Sequence, residues 1–161
     1  MSSPLKLLYV CTHNACRSIL AEVVTREVLG DRVEVCSAGS NPAGRIHPLT
    51  IQYLEQQGHT ATGLASESFE EHRRFDPDIV VTVCDSAANE VCPLWLEPTA
   101  SVHWGLPDPS HATGDEQAKL AAFTPVVQII AKRLSALSEL DFEDRDTADI
   151  ARAMQSMGSL K

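Results

Sequence analysis

The chain of 161 residues is long enough for one domain, and its 43% hydrophobic and 22% charged residues are typical of a globular protein. Its formal net charge of -9 argues against nucleic acid and anionic membranes as partners, because both are themselves negatively charged. The apolar run near the N-terminus, residues 7–10, is too short for a signal peptide or a membrane span, so we expect a soluble, cytoplasmic protein.

Short apolar segments predict the strands of a sheet. In chain order these segments are residues 7–10, 33–36, 78–83 and 100–103. Apolar residues at helical spacing predict helices near residues 19–28, 47–57, 66–73 and 114–137. Pro125 is expected to kink or restart the last of these helices. Because strands alternate with helices, we predict one α/β domain over residues 1–140, with a four-stranded parallel sheet and helices on both faces.

The C-terminal segment, residues 141–161, has a different composition. It is acid-rich at first and then weakly amphipathic, with Ile150, Met154 and Met157 at helical spacing. We expect a solvated or partly disordered tail, and the alternative is a helix that packs against a partner.

The first group of functional candidates lies between the first strand and the first helix. Residues 11–18 have a C-x5-R-S spacing, and backbone amides at a helix N-terminus can surround an anion. Arg17 offers a planar fork for a tetrahedral oxyanion, and Cys11 is placed to attack the central atom. The ligand would be phosphate, a phosphomonoester or arsenate, and the alternative is a turn that carries Cys and Arg by chance. The predicted oxyanion loop comprises Thr12, His13, Asn14, Ala15, Cys16, Arg17 and Ser18.

The chain has five cysteines, an odd number that excludes a fully paired disulfide framework within one chain. The absence of a C-x2-C pair weakens a zinc site. Cys84 ends the third strand and is expected close to Cys11, because the carboxyl ends of parallel strands share one edge. Cys92 follows on a polar stretch, and buried, unreactive thiols are the alternative for both residues. Cys36 is predicted in the core, and Cys16 is either inert or a protective disulfide partner of Cys11.

Asp108 lies between two prolines, which are expected to make a rigid turn. A carboxylate held in this way can act as a general acid for a leaving oxygen and as a general base in a later step of the reaction. A turn-forming or helix-capping role is the more common meaning of Asp-Pro. The remaining histidines are predicted to be surface or turn residues, and they include His47, His59, His72 and His111.

Several motifs carry a resemblance to a known family. Val10-Cys11, Asn14, Cys16-Arg17-Ser18 and Ala21-Glu22 resemble the signature of the low-molecular-weight protein tyrosine phosphatases and their arsenate-reductase relatives. Ser37-Ala38-Gly39 resembles the next block, and the resemblance covers about residues 5–140. Val81-Thr82-Val83-Cys84, Ala87-Ala88 and Cys92-Pro93 are similar to the thioredoxin-coupled arsenate reductases, as is His103-Trp104-Gly105 ahead of Asp108.

The sequence departs from the family pattern at three places. His13 stands where the family usually has glycine, and it would be strained if the backbone there had a positive φ. Ser110 and His111 replace the tyrosines that flank an aryl substrate in the phosphatases, which favours a small inorganic anion. The spacing between Cys84 and Cys92 is one residue longer than is usual in the reductases.

The resemblance implies an arsenate reductase. Cys11 would attack arsenate with Asp108 as the acid, Cys84 would attack the sulfur of the adduct, and Cys92 would carry the disulfide to a thioredoxin or glutaredoxin-type reductant. The alternatives are a phosphatase acting on phosphotyrosine or another phosphomonoester, and a non-catalytic thiol protein that binds metal or arsenite. No tightly bound cofactor is expected. A potassium ion, or an ordinary hydrogen-bond network, is expected at Asn14, Glu22, Ser37 and Glu67.

Overall fold

The computed structural model describes residues 4–59, 63–84 and 99–161. Four parallel strands form one sheet in the order β2-β1-β3-β4. Both faces of β1 are covered, because consecutive residues along it are buried. This confirms the predicted fold class. The strands are β1 (Leu5–Cys11), β2 (Val33–Gly39), β3 (Ile79–Thr82) and β4 (Ala100–His103).

The register of the sheet brings the carboxyl ends of the strands to one edge. Cys11, the last residue of β1, pairs with Gly39 of β2. On the other side of β1, Val10 pairs with Thr82 of β3, so Cys84 follows its strand at the same edge. Functional side chains from both strands therefore meet where ligands bind parallel α/β sheets.

Five α-helices lie around the sheet in the part of the chain that the structure describes, and the first two agree with the predicted positions. The predicted helix over residues 114–137 divides at Ala122, and Pro125 lies in the first turn of the second part, where its missing N–H costs no hydrogen bond. The predicted helix near residues 66–73 is a 3-10 helix, Phe69–Phe75. The α-helices are α1 (Arg17–Leu29), α2 (Pro48–Gln56), α3 (Glu116–Ala121), α4 (Phe123–Ser138) and α5 (Thr147–Met157).

The stretch that contains α3 and α4, Glu116–Ser138, is the one helical segment among the described residues that is long and apolar enough to cross a membrane. Its α4 part buries Phe123, Ile130 and Leu134 in the core and packs against α1. A core helix of a folded domain meets the same length and composition criteria.

The expectation of a solvated or disordered tail after residue 140 is wrong. Phe142, Ile150 and Met154 are buried, and α5 packs against β4 and α4 of the same chain rather than a partner. Arg32 contacts the start of this segment in two ways. Its guanidinium forms an ion pair with Glu143 at 2.6 Å and stacks on the Phe142 ring, 4.2 Å from the ring centroid. The apolar stripe of α5 therefore completes the core of the domain.

Candidate active site

The predicted oxyanion loop connects β1 directly to α1. Cys11 ends the strand and is buried, residues 12–16 form the turn, and α1 begins at Arg17. The first N–H groups of a helix have no partner within it and carry partial positive charge, so the N-terminus of α1 gives this turn the features that suit an anion. A hollow of about 280 Å³ opens here, lined by Cys11, Thr12, His13, Ala15, Cys16 and Arg17 and, from outside this turn, by Ala43, His47, Asp108, Ser110 and His111.

Asn14 holds the shape of the loop. Its backbone has a φ of +48°, a left-handed conformation that asparagine tolerates better than most residues. Its side chain is fully buried and accepts a hydrogen bond from the Glu67 N–H at 2.8 Å. That bond fixes the amide orientation, so Nδ2 donates to the Ser18 hydroxyl at 2.8 Å and to the Ser37 hydroxyl at 2.9 Å.

The Ser18 hydroxyl lies between Asn14 and Cys11. Its oxygen accepts a hydrogen of Asn14 Nδ2, and the same hydroxyl is hydrogen-bonded to Cys11 Sγ, 2.9 Å away, a contact in which either atom can be the donor. Asn14 therefore holds the hydroxyl where it can donate to the sulfur of a thiolate, the form in which a cysteine acts as a nucleophile.

Gly39 allows β2 to approach this loop closely. A Cβ at this position would lie 2.6 Å from Thr12 O and 3.0 Å from Asn14 N, both backbone atoms that cannot easily move. The Gly39 N–H donates to Glu67 O at 2.8 Å, which attaches the strand end to the segment that also orients Asn14. Only glycine fits here, and this accounts for the third residue of the Ser37-Ala38-Gly39 motif.

His13, which replaces the family's glycine, is not strained. Among the described residues other than glycine, only Asn14 and Asp76 have a positive φ, so the left-handed position is one residue later than His13. The His13 carbonyl accepts from the Ala43 N–H at 3.0 Å and from the Ser66 hydroxyl at 2.9 Å. Its exposed ring contacts Asn41 O and lines the mouth of the hollow.

Arg17 and Asp108 face each other across the hollow. Arg17 Nη1 donates to Leu106 O at 3.2 Å, and Nη2 lies 3.5 Å from Asp108 Oδ2. Asp108 also accepts from both the N–H and the hydroxyl of Ser110, and His111 Nε2 lies 3.5 Å from its carboxylate. Partial burial by itself raises the pKa of Asp108, but the Ser110 hydrogen bonds and the charges of Arg17 and His111 outweigh it and hold the pKa below its usual value.

Cys84 lies beside the oxyanion loop. It is buried, follows β3 after Val83, and its Sγ is 3.7 Å from Thr12 Oγ1. It does not line the hollow, so its sulfur must move to reach the exposed side of Cys11. Cys92, predicted as the third thiol of the relay, lies outside the described residues.

The other two thiols have surroundings that suppress reactivity. Burial raises the pKa of Cys16 to about 12, although Cys16 lines the hollow. Burial also raises the pKa of Cys36 to about 12, with the charge of Glu22 adding to the effect. Cys16 therefore fits the inert alternative, whereas Cys36, predicted in the core, is only half-buried.

The residues considered for potassium lie together but bond to one another. Ser37 accepts from Asn14 and donates to Glu22 Oε1 at 2.6 Å, and Glu22 Oε2 lies 2.6 Å from Arg26 Nη1. The carboxylate of Glu67 lies 3.5 Å from His72 rather than at this cluster. With a guanidinium already beside Glu22, the arrangement matches the hydrogen-bond alternative and fits a potassium ion poorly. Among the described residues, His, Cys, Asp and Glu form no cluster of three that suits a metal ion.

Sequence reasoning missed residues that line the hollow from outside the oxyanion loop. His47 was predicted to be a surface or turn residue, and it lines the hollow while its Nδ1 accepts from the Leu49 N–H at the start of α2. Ser110 and His111 both contact the Asp108 carboxylate. The Asp-Pro-Ser order is typical of a turn in which the Asp side chain accepts from the backbone N–H two residues later. This pattern could have predicted the Ser110 contact, which the sequence analysis did not name.

Comparisons with known proteins agree with this geometry. The arsenate reductase of Halalkalibacterium halodurans is 34% identical over 133 residues, which cover 83% of this chain and 94% of that protein. A solved structure of an arsenate reductase in the phosphate binding state superposes with a TM-score of 0.66 at 27% identity, covering 83% of this chain and 96% of that one.

A thioredoxin-dependent arsenate reductase of Corynebacterium glutamicum gives a TM-score of 0.59 at 26% identity, covering 84% of this chain and 64% of that one. The family model described as low molecular weight phosphotyrosine protein phosphatase matches residues 6–148, from the start of β1 into α5. On this match, this chain belongs to the low molecular weight phosphotyrosine protein phosphatase family.

Proposed function

We infer that this chain is an arsenate reductase that converts arsenate to arsenite with Cys11 as the nucleophile. The observation that carries the proposal is a second thiol beside the oxyanion loop: Cys84 is buried with its Sγ 3.7 Å from Thr12 Oγ1, just after the strand adjacent to that of Cys11. Hydrolysis of a phosphate ester needs no second thiol, whereas removal of an oxygen from arsenic needs two electrons. Relatives at 34% identity carry the name arsenate reductase.

The oxyanion is attracted by groups close to the site and not by the net charge of the chain. The net charge of -9 repels anions at long range, so attraction must come from the N-terminus of α1 and from Arg17. Arg17 already has one N–H group on Leu106 O, which orients the guanidinium before a ligand arrives. A structure of an arsenate reductase in a phosphate binding state supports a tetrahedral oxyanion as the ligand.

In the first step, the thiolate of Cys11 forms a bond to arsenic and an arsenate oxygen leaves. The leaving oxygen is a hydroxyl group of the partly protonated arsenate, and Asp108 supplies the one further proton with which it leaves as water. The pKa of Asp108 is lowered in the free protein, so this carboxylate is ionised at neutral pH. An anion that enters beside it raises that pKa by like-charge repulsion and occupies Arg17, so the proton is taken up with the substrate.

In the second step, the thiolate of Cys84 attacks Cys11 Sγ. The sulfur–arsenic bond breaks, its electron pair goes to arsenic, and arsenite leaves while a Cys11–Cys84 disulfide forms. Cys92 then attacks Cys84, which releases Cys11 as a thiol and leaves a Cys84–Cys92 disulfide. A thioredoxin-type dithiol reduces that disulfide, and we place the reaction in the cytoplasm, where such reductants keep thiols reduced.

The second candidate function is hydrolysis of a phosphomonoester, which the family description favours. A phosphatase requires Cys11, Arg17 and Asp108, and all three line the hollow. However, Ser110 and His111 stand where the phosphatases usually have the tyrosines that flank an aryl substrate, so those two phenol rings are missing from these positions. A non-catalytic thiol protein is the least consistent alternative, because it gives Arg17 and Asp108 no role.

A panel of cysteine variants tests the proposal. Cys11→Ser is expected to abolish both arsenate reduction and aryl phosphate hydrolysis. Cys84→Ser and Cys92→Ser are expected to stop multiple-turnover reduction with thioredoxin and to leave aryl phosphate hydrolysis within about twofold of wild type. Cys36→Ser, at a half-buried thiol outside the hollow, is the matched control and is expected to keep full activity. Full turnover by the Cys84 and Cys92 variants would show that the relay is wrong, and phosphotyrosine hydrolysis without arsenate reduction would favour the phosphatase.

A further inference from the structure

The last helix of the chain contacts the loop that carries Asp108, although the proposed function gives this helix no role. The family match ends at residue 148, so nearly all of α5 lies beyond it. The helix is nevertheless well packed, with Ile150 and Met154 buried. Its contacts therefore need an explanation of their own.

The first contacts are at the end of β4, immediately before the loop. The backbone N–H of His103 donates to Gln155 Oε1 at 3.1 Å. The indole N–H of the next residue, Trp104, donates to Met154 O at 2.6 Å. Met154 O is one of the last four carbonyls of α5, which have no partner within the helix. The helix end and the loop entrance thus satisfy each other's polar groups.

Arg133, on α4, attaches the end of α5 to the same loop. Its guanidinium donates to the carbonyl oxygens of Gly158 at 2.9 Å, Leu160 at 3.1 Å and Gly105 at 3.4 Å. The side chain is buried, with only 2% of the residue exposed, and its guanidinium lies 6.0 Å from the centroid of the Trp104 ring. A buried guanidinium is costly unless its N–H groups are bonded, so these carbonyls are held in place around it.

The opposite side of this loop reaches the active site. Leu106 O accepts from Arg17, and Leu106 N donates to Val83 O at 2.9 Å, next to Cys84. Two residues later, the carboxylate of Asp108 lies 3.5 Å from Arg17. Residues 104–108 therefore connect α5 and Arg133 on one side with the oxyanion hollow on the other. A displacement of a catalytic group by about 1 Å can reduce the reaction rate on the order of a hundredfold.

We propose that α5 is a positioning element for the reaction, and that Trp104 and Arg133 are the positioning residues through which it acts. They fix residues 104–108 and so orient the Asp108 carboxylate towards the oxyanion. The proposal rests on the proposed function only for the identity of the reaction, because phosphomonoester hydrolysis would use the same loop and the same acid.

A double-mutant cycle tests this positioning. Trp104→Phe keeps an aromatic ring and removes the N–H donor to Met154 O, and we expect kcat for arsenate reduction to fall about tenfold. In the Asp108→Asn background the same change is expected to alter kcat by less than about twofold, because the carboxylate it positions is absent. Arg152→Ala is the matched control, since Arg152 is exposed on α5 and its charge partner is Asp149 on the same helix. A further tenfold loss in the Asp108→Asn background would overturn the proposal.

A second measurement is independent of activity. The Leu106 N–H is hydrogen-bonded to Val83 O, so its hydrogen-exchange rate reports on the order of the loop. Trp104→Phe is expected to increase that rate at least about tenfold, and Arg152→Ala to leave it unchanged. Equal rates in wild type and Trp104→Phe would contradict the proposal. If the wild type does not reduce arsenate, the proposed function fails, and the exchange rates together with the same cycle on aryl phosphate hydrolysis still decide whether α5 positions the loop.

Discussion

Replacing Asn14 with alanine is expected to destabilise the protein by about 3–4 kcal/mol. The substitution removes the hydrogen bonds to Ser18 and Ser37 and the one accepted from the Glu67 N–H, each worth about 1 kcal/mol net at this buried position. It also places alanine at a φ of +48°, which costs about 1 kcal/mol more. For a domain of this size the melting temperature falls by about 2–4 °C per kcal/mol, so the expected decrease is about 10 °C.

Urea and thermal denaturation measure the loss of stability in Asn14→Ala. The kcat for arsenate reduction measures the effect of the same substitution on Cys11. Without Asn14, the Ser18 hydroxyl loses the hydrogen bond that holds it beside Cys11 Sγ, so kcat is expected to fall about tenfold. Asn41→Ala is the control, because Asn41 is exposed and the bonds that it makes to the loop run through its backbone. A loss of under about 1 kcal/mol for Asn14→Ala would refute the idea that this side chain holds the loop.

Gly39→Ala is expected to destabilise the protein by about 1–3 kcal/mol and to reduce kcat at least tenfold, because its Cβ would meet Thr12 O at 2.6 Å; denaturation and steady-state kinetics check both effects. The lowered pKa of Asp108 means that its carboxylate stabilises the fold above its usual pKa and loses this contribution as the pH falls through the lowered value. Asp108→Asn should therefore be less stable than wild type at pH 7, and the difference should shrink as the pH falls below the usual pKa of an aspartate, as measured by denaturation over that range of pH. Replacing potassium with sodium should change kcat and the melting temperature little, because Arg26 already provides a cation beside Glu22; a several-fold loss of activity would contradict this. In labelling with iodoacetamide at pH 8 followed by mass spectrometry, Cys16 and Cys36 should react much more slowly than a free thiol, because the pKa of each is raised to about 12.

The strands and the oxyanion loop were predictable because their signals are local. β1 and β3 are nearly continuous apolar runs, which is what a strand buried on both faces requires. Residues 11–18 are contiguous, so their order along the chain fixes most of their relative positions. The network around Asn14 was only partly predictable, since the Glu67 N–H comes from a segment 53 residues away.

The C-terminal helix was mispredicted because its partner is distant in sequence. The stripe of Ile150, Met154 and Met157 shows which face of α5 is apolar. No residue near it in the sequence indicates that this face packs against β4. The burial of Arg133 was not predictable from the sequence either, because an arginine on an amphipathic helix is normally exposed. Its hydrogen bonds run to residues 25–28 positions away along the chain. Strain at His13 was expected only if its backbone had a positive φ, and the sequence alone does not show which residue of the loop is left-handed; that residue is Asn14.

The most direct test of the reductase proposal is a single turnover of reduced Cys92→Ser protein with arsenate and no other reductant. The relay predicts one arsenite per protein molecule and, by peptide mass mapping, an equal amount of a Cys11–Cys84 disulfide. Arsenite released without that disulfide, or a disulfide that joins Cys11 to Cys16 instead, would contradict the account.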